Sequence, residues 1–225
     1  MRAGGVICHI MFVRDFSLVI ANKREIGTVT NAEGSCCVAA FGPTHIFDVG
    51  ANIGLFSWNM LSLFPKAKLF LFEPDRMNQG LLSATICRNG LTAALYPNAV
   101  SDHTGVAEFV VDSVSGATGS LIQNANTLHK HYALGAVTTK VETISLDDCV
   151  EHVSGPSPRV LLKIDVEGAE ALVLAGASNF IRRFRPLIII ECFDLAKISS
   201  VLACGYHCTP METGNYLLQP NQPRP

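Results

Sequence analysis

The clearest chemical pattern in the chain is a glycine-rich segment at residues 48–54, with the sequence DVGANIG. Glycine has no Cβ, so Gly50 and Gly54 allow a tight turn and a close approach of the backbone to a ligand. A dinucleotide-binding turn reads G-x-G-x-x-G, whereas Asn52 occupies the middle position here. A side chain there obstructs a pyrophosphate but tolerates a single carboxylate. We therefore assign Asp48, Gly50, Asn52 and Gly54 to a nucleoside-cofactor site.

Two further polar positions follow the next strands along the chain. Glu73 ends the second apolar run, where a carboxylate can accept hydrogen bonds from ribose hydroxyls. NAD enzymes share this feature, so it indicates a nucleoside rather than one particular cofactor. Ser101 and Asp102 follow the third run, where either side chain could bond the exocyclic amine of an adenine. An ordinary Ser/Asp turn would look the same in sequence.

Acidic residues also follow the fourth and fifth apolar runs. Asp165, Glu167 and Glu170 come directly after residues 160–164, beside the expected reacting end of the site. We predict Glu167 as the general base or substrate clamp, and Asp165 as the group that orients cofactor or substrate. Acids that merely stabilise a helix N-terminus would give the same pattern. Together with Glu191, which ends the fifth run, Asp165 and Glu167 form an alternative set of oxygen ligands for a divalent metal, although our assignment includes no metal.

Three basic or titratable side chains bear on the same site. Lys163 lies two positions before Asp165 on a predicted central strand, where lysine is rarely buried without a partner. We therefore predict that it pairs with a neighbouring carboxylate. His129 and His131 fall in a predicted loop over the site, either as exposed residues or as a second choice of base.

The elements that must position these residues alternate between strand and helix. Apolar runs predict strands at 46–49, 68–73, 94–99, 106–112, 138–144, 160–165, 187–192, 206–210 and 215–218. Helical spacing predicts helices at 53–64, 74–88, 167–183 and 195–203. Strands that are apolar on both faces indicate a doubly wound, Rossmann-like α/β fold with a mostly parallel sheet and a C-terminal antiparallel hairpin. Right-handed crossovers then place ligands at the carboxyl ends of the strands.

Composition and organisation restrict the class of protein further. Of 225 residues, 48% are hydrophobic and 16% are charged, so we expect a folded core. The net charge is −2, so we expect no global attraction to nucleic acid. We predict one domain over residues 41–218. An N-terminal segment, 1–40, has uncertain structure with short strands at 18–21 and 28–30, and a loose tail covers 219–225.

Cysteine usage and hydropathy suggest a compartment. No apolar run is long enough to span a bilayer, and the eight cysteines include no C-x-x-C pair. Cys204, His207 and Cys208 come closest to a zinc cluster but lack a fourth ligand at finger spacing. These features favour a reduced, cytoplasmic protein.

Six separated segments, in the same order along the chain, resemble the FkbM family of methyltransferases. They are residues 47–54, 72–75, 98–102, 145–148, 162–170 and 186–191. The resemblance covers roughly residues 45–195. It implies S-adenosylmethionine as cofactor and O-methylation of a hydroxyl on a sugar, glycolipid or natural product, with a small-molecule or glycan acceptor. An NAD-dependent oxidoreductase and a non-catalytic nucleotide-binding module are the alternatives, and the sequence leaves the oligomeric state open.

Overall fold

A computed structural model describes residues 32–112, 119–121, 136–211 and 214–221. The helices are α1 (Ala32–Phe41), α2 (Leu55–Leu63), α3 (Arg76–Asn89), α4 (Glu170–Ala175), α5 (Ser178–Phe184) and α6 (Ser199–Ala203), with 3₁₀ helices at Asp147–His152 and Leu195–Ile198. The strands are β1 (His45–Val49), β2 (Lys68–Phe72), β3 (Ala93–Tyr96), β4 (Ala99–Val100), β5 (Gly105–Asp112), β6 (Gly119–Leu121), β7 (Ala136–Ile144), β8 (Val160–Ile164), β9 (Leu187–Glu191), β10 (Tyr206–Pro210) and β11 (Asn215–Pro220). The strands predicted at 18–21 and 28–30, and the two loop histidines, lie outside the described residues.

The main sheet has seven strands in the order β10-β11-β9-β8-β1-β2-β3. β3, β2, β1, β8 and β9 run parallel, and the β10–β11 hairpin is antiparallel at one edge. Every residue of β1 and β8 is buried, as expected of parallel strands that are covered on both faces. This arrangement confirms the predicted doubly wound α/β fold.

Helices cover both faces of this sheet. On one face, Phe180 and Phe184 of α5 pack with Phe47 in a continuous apolar cluster. On the other, Phe56 and Trp58 of α2 pack with a second cluster. In the described parts of the chain, no helix has the length and apolar character needed to cross a bilayer.

The strand order reverses between β1 and β8. From β1 the chain first builds outward through β2 and β3, and later returns to place β8 on the other side of β1. Val49 and Ile164, the last residues of these two strands, are paired in register. Connections leave in opposite directions at such a point, which opens a crevice at the carboxyl ends of the strands.

A second sheet of four strands, in the order β4-β7-β5-β6, is absent from our prediction as a separate unit. The strand predicted at 94–99 divides at Pro97 into β3, which joins the main sheet, and β4, which pairs with β7. Proline has no N–H to donate to a ladder, so it ends the first pairing. The chain then crosses to the second sheet.

The single helix predicted over 167–183 is also wrong. A turn occupies the first residues, and two short helices, α4 and α5, follow. A Cβ on Gly176 would lie 2.1 Å from the carbonyl oxygen of Ser101, so the chain between the helices is pressed against another backbone. The Asp147 carboxylate accepts the N–H groups of Asn179 and Phe180, and these bonds start α5 afresh.

The predicted domain limits stay a prediction. Helix α1 crosses the limit set at residue 41, and its Val38 is buried in the same apolar cluster as Phe56. At the other end, β11 continues to Pro220, two residues past the predicted strand. The last strand therefore enters the segment that we predicted as a loose tail.

Candidate active site

A cleft lies at the reversal of strand order. Both sheets contribute to its wall. The lining residues are Gly50, Asn52, Phe72, Glu73, Pro74, Asp75, Asn78, Ala99, Val100, Phe109, Val111, Gly119, Leu121, Asp165, Val166, Glu167 and Ala169.

The glycine-rich turn after β1 forms one side of the cleft. Gly50 has φ 76°, and a Cβ at this position would lie 1.9 Å from the carbonyl oxygen of Asp165. Any other residue at position 50 would force the backbone of Asp165, just after β8, to move. Gly54 has φ 86°, and a Cβ at this position would lie 2.4 Å from the indole of Trp58. Gly54 lies outside the cleft lining, so it shapes the turn and the start of α2 rather than the wall.

Glu73 is joined directly to this turn. Its Oε2 accepts the N–H of Asn52 at 2.7 Å, and its Oε1 accepts the N–H of Asp75 at 2.8 Å. The residue is 5% exposed, and burial raises the pKa of its carboxyl group to about 7 although both amides lower it. Because a carboxylate oxygen can accept more than one hydrogen bond, Glu73 retains capacity for a ligand in the cleft.

A buried lysine holds the charges beneath the turn. Lys163 Nζ lies 3.1 Å from Asp165 Oδ2 and 3.5 Å from Asp48 Oδ1, and it donates to the carbonyl oxygen of Gly50 at 3.3 Å. Burial lowers the pKa of Lys163, but the two carboxylates outweigh this effect and raise it overall. The predicted pairing of Lys163 is confirmed.

Asp48 lies under the cleft rather than in its wall. It is fully buried, and its Oδ2 accepts the hydroxyl of Ser57 at 2.6 Å. Burial raises the pKa of Asp48 against the attraction of Lys163. Its assignment to the cofactor site stays a prediction, and the described contacts give it a supporting role through Lys163.

Glu191 lies beside Asp165, although the sequence analysis considered it only as part of an alternative metal site. β8 and β9 are paired in register at Ile164 and Ile190, so Asp165 and Glu191 follow side by side. Burial, the charge of Asp165, a hydrogen bond to Asp165 and the charge of Glu167 raise the pKa of Glu191 to about 7. A hydrogen bond between two carboxyl groups requires a proton on one of them, and the raised pKa of Glu191 makes Glu191 the group that carries it. The usable signal in the sequence was the position of both acids at the ends of adjacent strands.

Glu167 lies in the cleft wall, in a turn rather than a helix. Its φ is 50°, its side chain is exposed, and its carbonyl oxygen accepts the hydroxyl of Ser120 at 2.7 Å. Helix α4 begins at Glu170, so Glu167 lies just before the helix N-terminus and outside the helix. Its catalytic role stays a prediction, as does that of Asp165.

Ser101 and Asp102 do not line the cleft. Ser101 is buried, and its hydroxyl donates to Asp102 Oδ1 at 3.1 Å. The same oxygen bonds His103 Nδ1 at 2.7 Å, and this bond lowers the pKa of Asp102. Their neighbours Ala99 and Val100 form the wall instead. The contact of either side chain with an adenine stays a prediction.

An apolar wall from the second sheet completes the cleft, and sequence reasoning missed it. Phe109 and Val111 of β5 and Leu121 of β6 line the cleft. A Cβ on Gly119 would lie 2.4 Å from the ring of Phe109, so glycine is needed where this ring packs. The alternation of β5 was visible in the sequence, but its place in a second sheet beside the cleft was not.

A metal centre finds no geometric support in the part of the chain that the structure describes. No three His, Cys, Asp or Glu side chains there come together as a metal-sized group. The alternative metal set of Asp165, Glu167 and Glu191 is not such a group in the described residues. Cys204, His207 and Cys208 do not form such a cluster either.

Comparisons with known proteins agree with this geometry. A model of the methyltransferase FkbM domain matches residues 48–208. The 2-O-methyltransferase NoeI of Sinorhizobium fredii is 33% identical over 154 residues, which are 62% of this chain and 60% of the relative. The hexuronic acid methyltransferase AglP of Haloferax volcanii is 31% identical over 160 residues, 69% of this chain and 61% of the relative. The chain thus spans about three fifths of the length of these two proteins.

A solved structure shows the same fold. The crystal structure of methyltransferase FkbM from Methylobacillus flagellatus aligns with a TM-score of 0.53 at 17% identity, over 79% of this chain and 43% of that chain. The match of the family model extends over most of the chain and includes both the turn after β1 and the acids after β8. The chain therefore belongs to the FkbM family of methyltransferases.

Proposed function

We propose that this chain binds S-adenosylmethionine in the cleft and transfers its methyl group to a hydroxyl of a sugar-containing acceptor. The observation that supports the proposal most is the bond between the N–H of Asn52 and the buried carboxylate of Glu73. It fixes the glycine-rich turn to the second acid at the point where the strand order reverses. S-adenosylmethionine is the usual methyl donor of enzymes in this family.

The residues of the cleft fit this donor chemically. Gly50 lets the turn pack against the backbone of Asp165, where any Cβ would clash, and Glu73 supplies a carboxylate for ribose hydroxyls. The apolar wall of Phe109 and Leu121 suits a flat base. When bound, S-adenosylmethionine supplies an electrophilic methyl group on a positively charged sulfur. The acidic side of the cleft, which includes Asp165, complements that charge.

The acids after β8 suit the acceptor side of the reaction. A hydroxyl is a weak nucleophile until a base removes its proton. We assign this role to Glu167, whose exposed carboxylate lies in the cleft wall. Lys163 holds Asp165 at 3.1 Å, so Asp165 has a fixed position from which to orient the acceptor. The carboxyl pair of Asp165 and Glu191 is the next proton acceptor in line.

The relatives support a sugar as acceptor. Two of them are named for 2-O-methylation and for methylation of hexuronic acid, and both align with this chain at 31–33% identity. An acceptor made of protein or nucleic acid has no comparable support among these relatives, and the exclusion of nucleic acid stays a prediction from the net charge. A cytoplasmic location likewise stays a prediction, based on cysteine usage.

Calorimetry and a transfer assay test the proposal. S-adenosylhomocysteine should bind, NAD should not, and Glu73→Ala should weaken binding by about 2–4 kcal/mol because two charge-assisted hydrogen bonds are lost. Glu108→Ala, an exposed acid on β5, is the matched control and should bind normally. Sugar acceptors incubated with S-adenosylmethionine should gain the mass of one methyl group. Binding without transfer to any acceptor would favour a non-catalytic module, and binding of NAD alone would favour an oxidoreductase.

A further inference from the structure

The turn that contains Glu167 has an unusual backbone. Glu167 has φ 50° and Gly168 has φ 109°, so two consecutive residues lie at positive φ. A residue with a Cβ disfavours this region, and glutamate is not among the residues that adopt it readily. Gly168 adopts positive φ without strain, so the unfavourable conformation falls on Glu167. The conformation of the turn therefore depends on contacts from outside it.

Those contacts come from two charged side chains. The Glu170 carboxylate accepts the N–H of Gly168 through Oε1 at 2.6 Å and the Lys197 ammonium through Oε2 at 2.7 Å. Lys197 Nζ also donates to the carbonyl oxygen of Gly168 at 2.9 Å. Both backbone groups of Gly168 are thus bonded to one ion pair. We call this ion pair, Lys197 with Glu170, the clamp.

Burial makes the clamp specific to one geometry. The Glu170 side chain is 5% exposed and that of Lys197 is 30% exposed. A buried carboxylate is strongly destabilising unless it is paired and its remaining lone pairs are satisfied. Glu170 meets both conditions only when Lys197 and the amide of Gly168 occupy their present places. On the far side of the turn, the Ser120 hydroxyl holds the carbonyl oxygen of Glu167.

The clamp also joins two parts of the site. Lys197 lies on the 3₁₀ helix Leu195–Ile198, which follows β9 and starts with the Asp194 side chain accepting the N–H of Ala196. This helix is connected through a short segment to Glu191. The turn after β8 and the segment after β9 are therefore held together by a charge pair beside the acids of the reacting end.

We propose that Lys197, acting through Glu170, is a positioning residue that holds the Glu167 turn in its catalytic conformation. The inference rests on the proposed function, because it assumes that Glu167 acts on the acceptor. Lys197 and Glu170 lie outside the cleft lining, and the proposal makes methyl transfer depend on them. Neither needs to touch cofactor or acceptor.

Amide hydrogen exchange of the holo-protein with S-adenosylhomocysteine tests the clamp without any assay of activity. Lys197→Met keeps the length of the side chain and removes its charge, and exchange in a peptide covering 165–172 should rise at least tenfold. Lys197→Arg should restore most of the protection, since a guanidinium can still pair with the carboxylate. Lys66→Met is the matched control, because Lys66 is exposed before β2, at the opposite end of the strand from the cleft. It should leave exchange in this peptide unchanged.

Kinetics then separate positioning from folding. Lys197→Met should lower kcat at least tenfold while the Kd for S-adenosylhomocysteine stays within twofold, and Lys197→Arg should recover kcat to within about threefold of the native enzyme. If Lys197→Met fails to fold, Glu170→Gln, which keeps the lysine and the shape of the acid, should show the same exchange and kinetic changes. Unchanged exchange in both variants, or increased exchange with native kcat, would overturn the proposal. A native protein that neither binds the ligand nor transfers methyl would refute the proposed function instead, while exchange in the free protein would still test the clamp.

Discussion

Cofactor binding should depend on pH because of Glu73. Its carboxylate is held between two backbone amides in the cleft wall, and burial raises its pKa to about 7. Ribose hydroxyls that donate to Glu73 favour the ionised form. Ligand binding must therefore displace a proton wherever the free protein still holds one. Affinity should rise with pH through neutrality and level off above it.

The size of the effect follows from the position of that pKa. At pH 6, about one tenth of the Glu73 carboxyls are ionised in the free protein, so the Kd for S-adenosylhomocysteine should be about tenfold weaker than its limit above pH 8, or about 1.4 kcal/mol. At pH 7, binding should release about half a proton. These values hold for one titrating carboxyl that is fully ionised in the complex.

Isothermal titration at pH 6, 7 and 8, in buffers with different ionisation enthalpies, measures both the Kd and the protons released. Glu73→Gln removes the titrating group, so its Kd should be weaker and nearly constant with pH. Glu191→Gln is the matched control, since Glu191 also has a pKa of about 7 but lies beside Asp165. It should keep the full pH dependence. Ionisation of the ligand is common to all three proteins and cancels in the comparison.

Two results would refute this reasoning. A native Kd that is flat between pH 6 and 8, with no proton release, would mean that Glu73 is already ionised in the free protein or does not contact the ligand. A pH dependence that disappears in Glu191→Gln and persists in Glu73→Gln would assign the titration to the reacting end. The second outcome would show that Glu73 is not the group whose ionisation is linked to cofactor binding.

Three further predictions concern rate and stability. Glu167→Gln should keep the affinity for S-adenosylhomocysteine and lose about 100- to 10,000-fold in transfer rate, since the amide cannot accept the proton. Lys163→Met should lower the free energy of unfolding in urea by about 3–5 kcal/mol, because it leaves Asp48 buried without its cation. Glu73 is protonated in the folded protein and ionised in the unfolded chain between pH 4.5 and about 7, so the free energy of unfolding should fall as pH rises through this window, by up to about 3 kcal/mol in total.

Each of these has its own control and its own contradicting result. A native rate in Glu167→Gln would leave Glu167 as a structural acid and make the Asp165–Glu191 pair the base. For Lys163→Met, the control is Lys140→Met, because Lys140 is exposed. Equal and small decreases in the free energy of unfolding in both variants would show that the buried pair of Lys163 and Asp48 does not stabilise the fold. In Glu73→Gln, the free energy of unfolding should no longer fall between pH 4.5 and about 7. A fall that persists in this variant would come from another titrating group.

The parts of the fold that sequence predicted are those with local signals. The turn after β1 is visible because Gly50 and Gly54 meet steric demands that no other residue satisfies, and the strands of the main sheet are visible because they are apolar on both faces. The second sheet was not visible as a unit. β4 has two residues and β6 has three, so neither shows a period, and β4 pairs with the distant strand β7, Ala99 with Thr143.

The same contrast holds in the candidate site. Residue types identified Glu73 and Asp165 as candidates, but their environments depend on contacts that no local pattern encodes. The Glu167 turn is the clearest case, since Glu167, Ala169 and Glu170 favour a helix over this segment and only Gly168 disfavours it. Tertiary bonds from Ser120 and Lys197 override that preference. A turn that is held against local propensity is expected where function requires it.

Lys163 links the two halves of the site, which are the glycine-rich turn after β1 and the acids after β8. β1 and β8 flank the reversal of strand order, and Asp48 and Lys163 are paired in register across them. The single ammonium of Lys163 contacts Asp48, the carbonyl oxygen of Gly50 and Asp165, so it bonds to the cofactor turn and to the reacting end at once. Without it, the carboxylates of Asp48 and Asp165 would face each other across a buried space. Because one cation sets the charge of both halves, changes to Lys163 should alter cofactor affinity and transfer rate together, whereas changes to Glu73 or Glu167 should affect them separately.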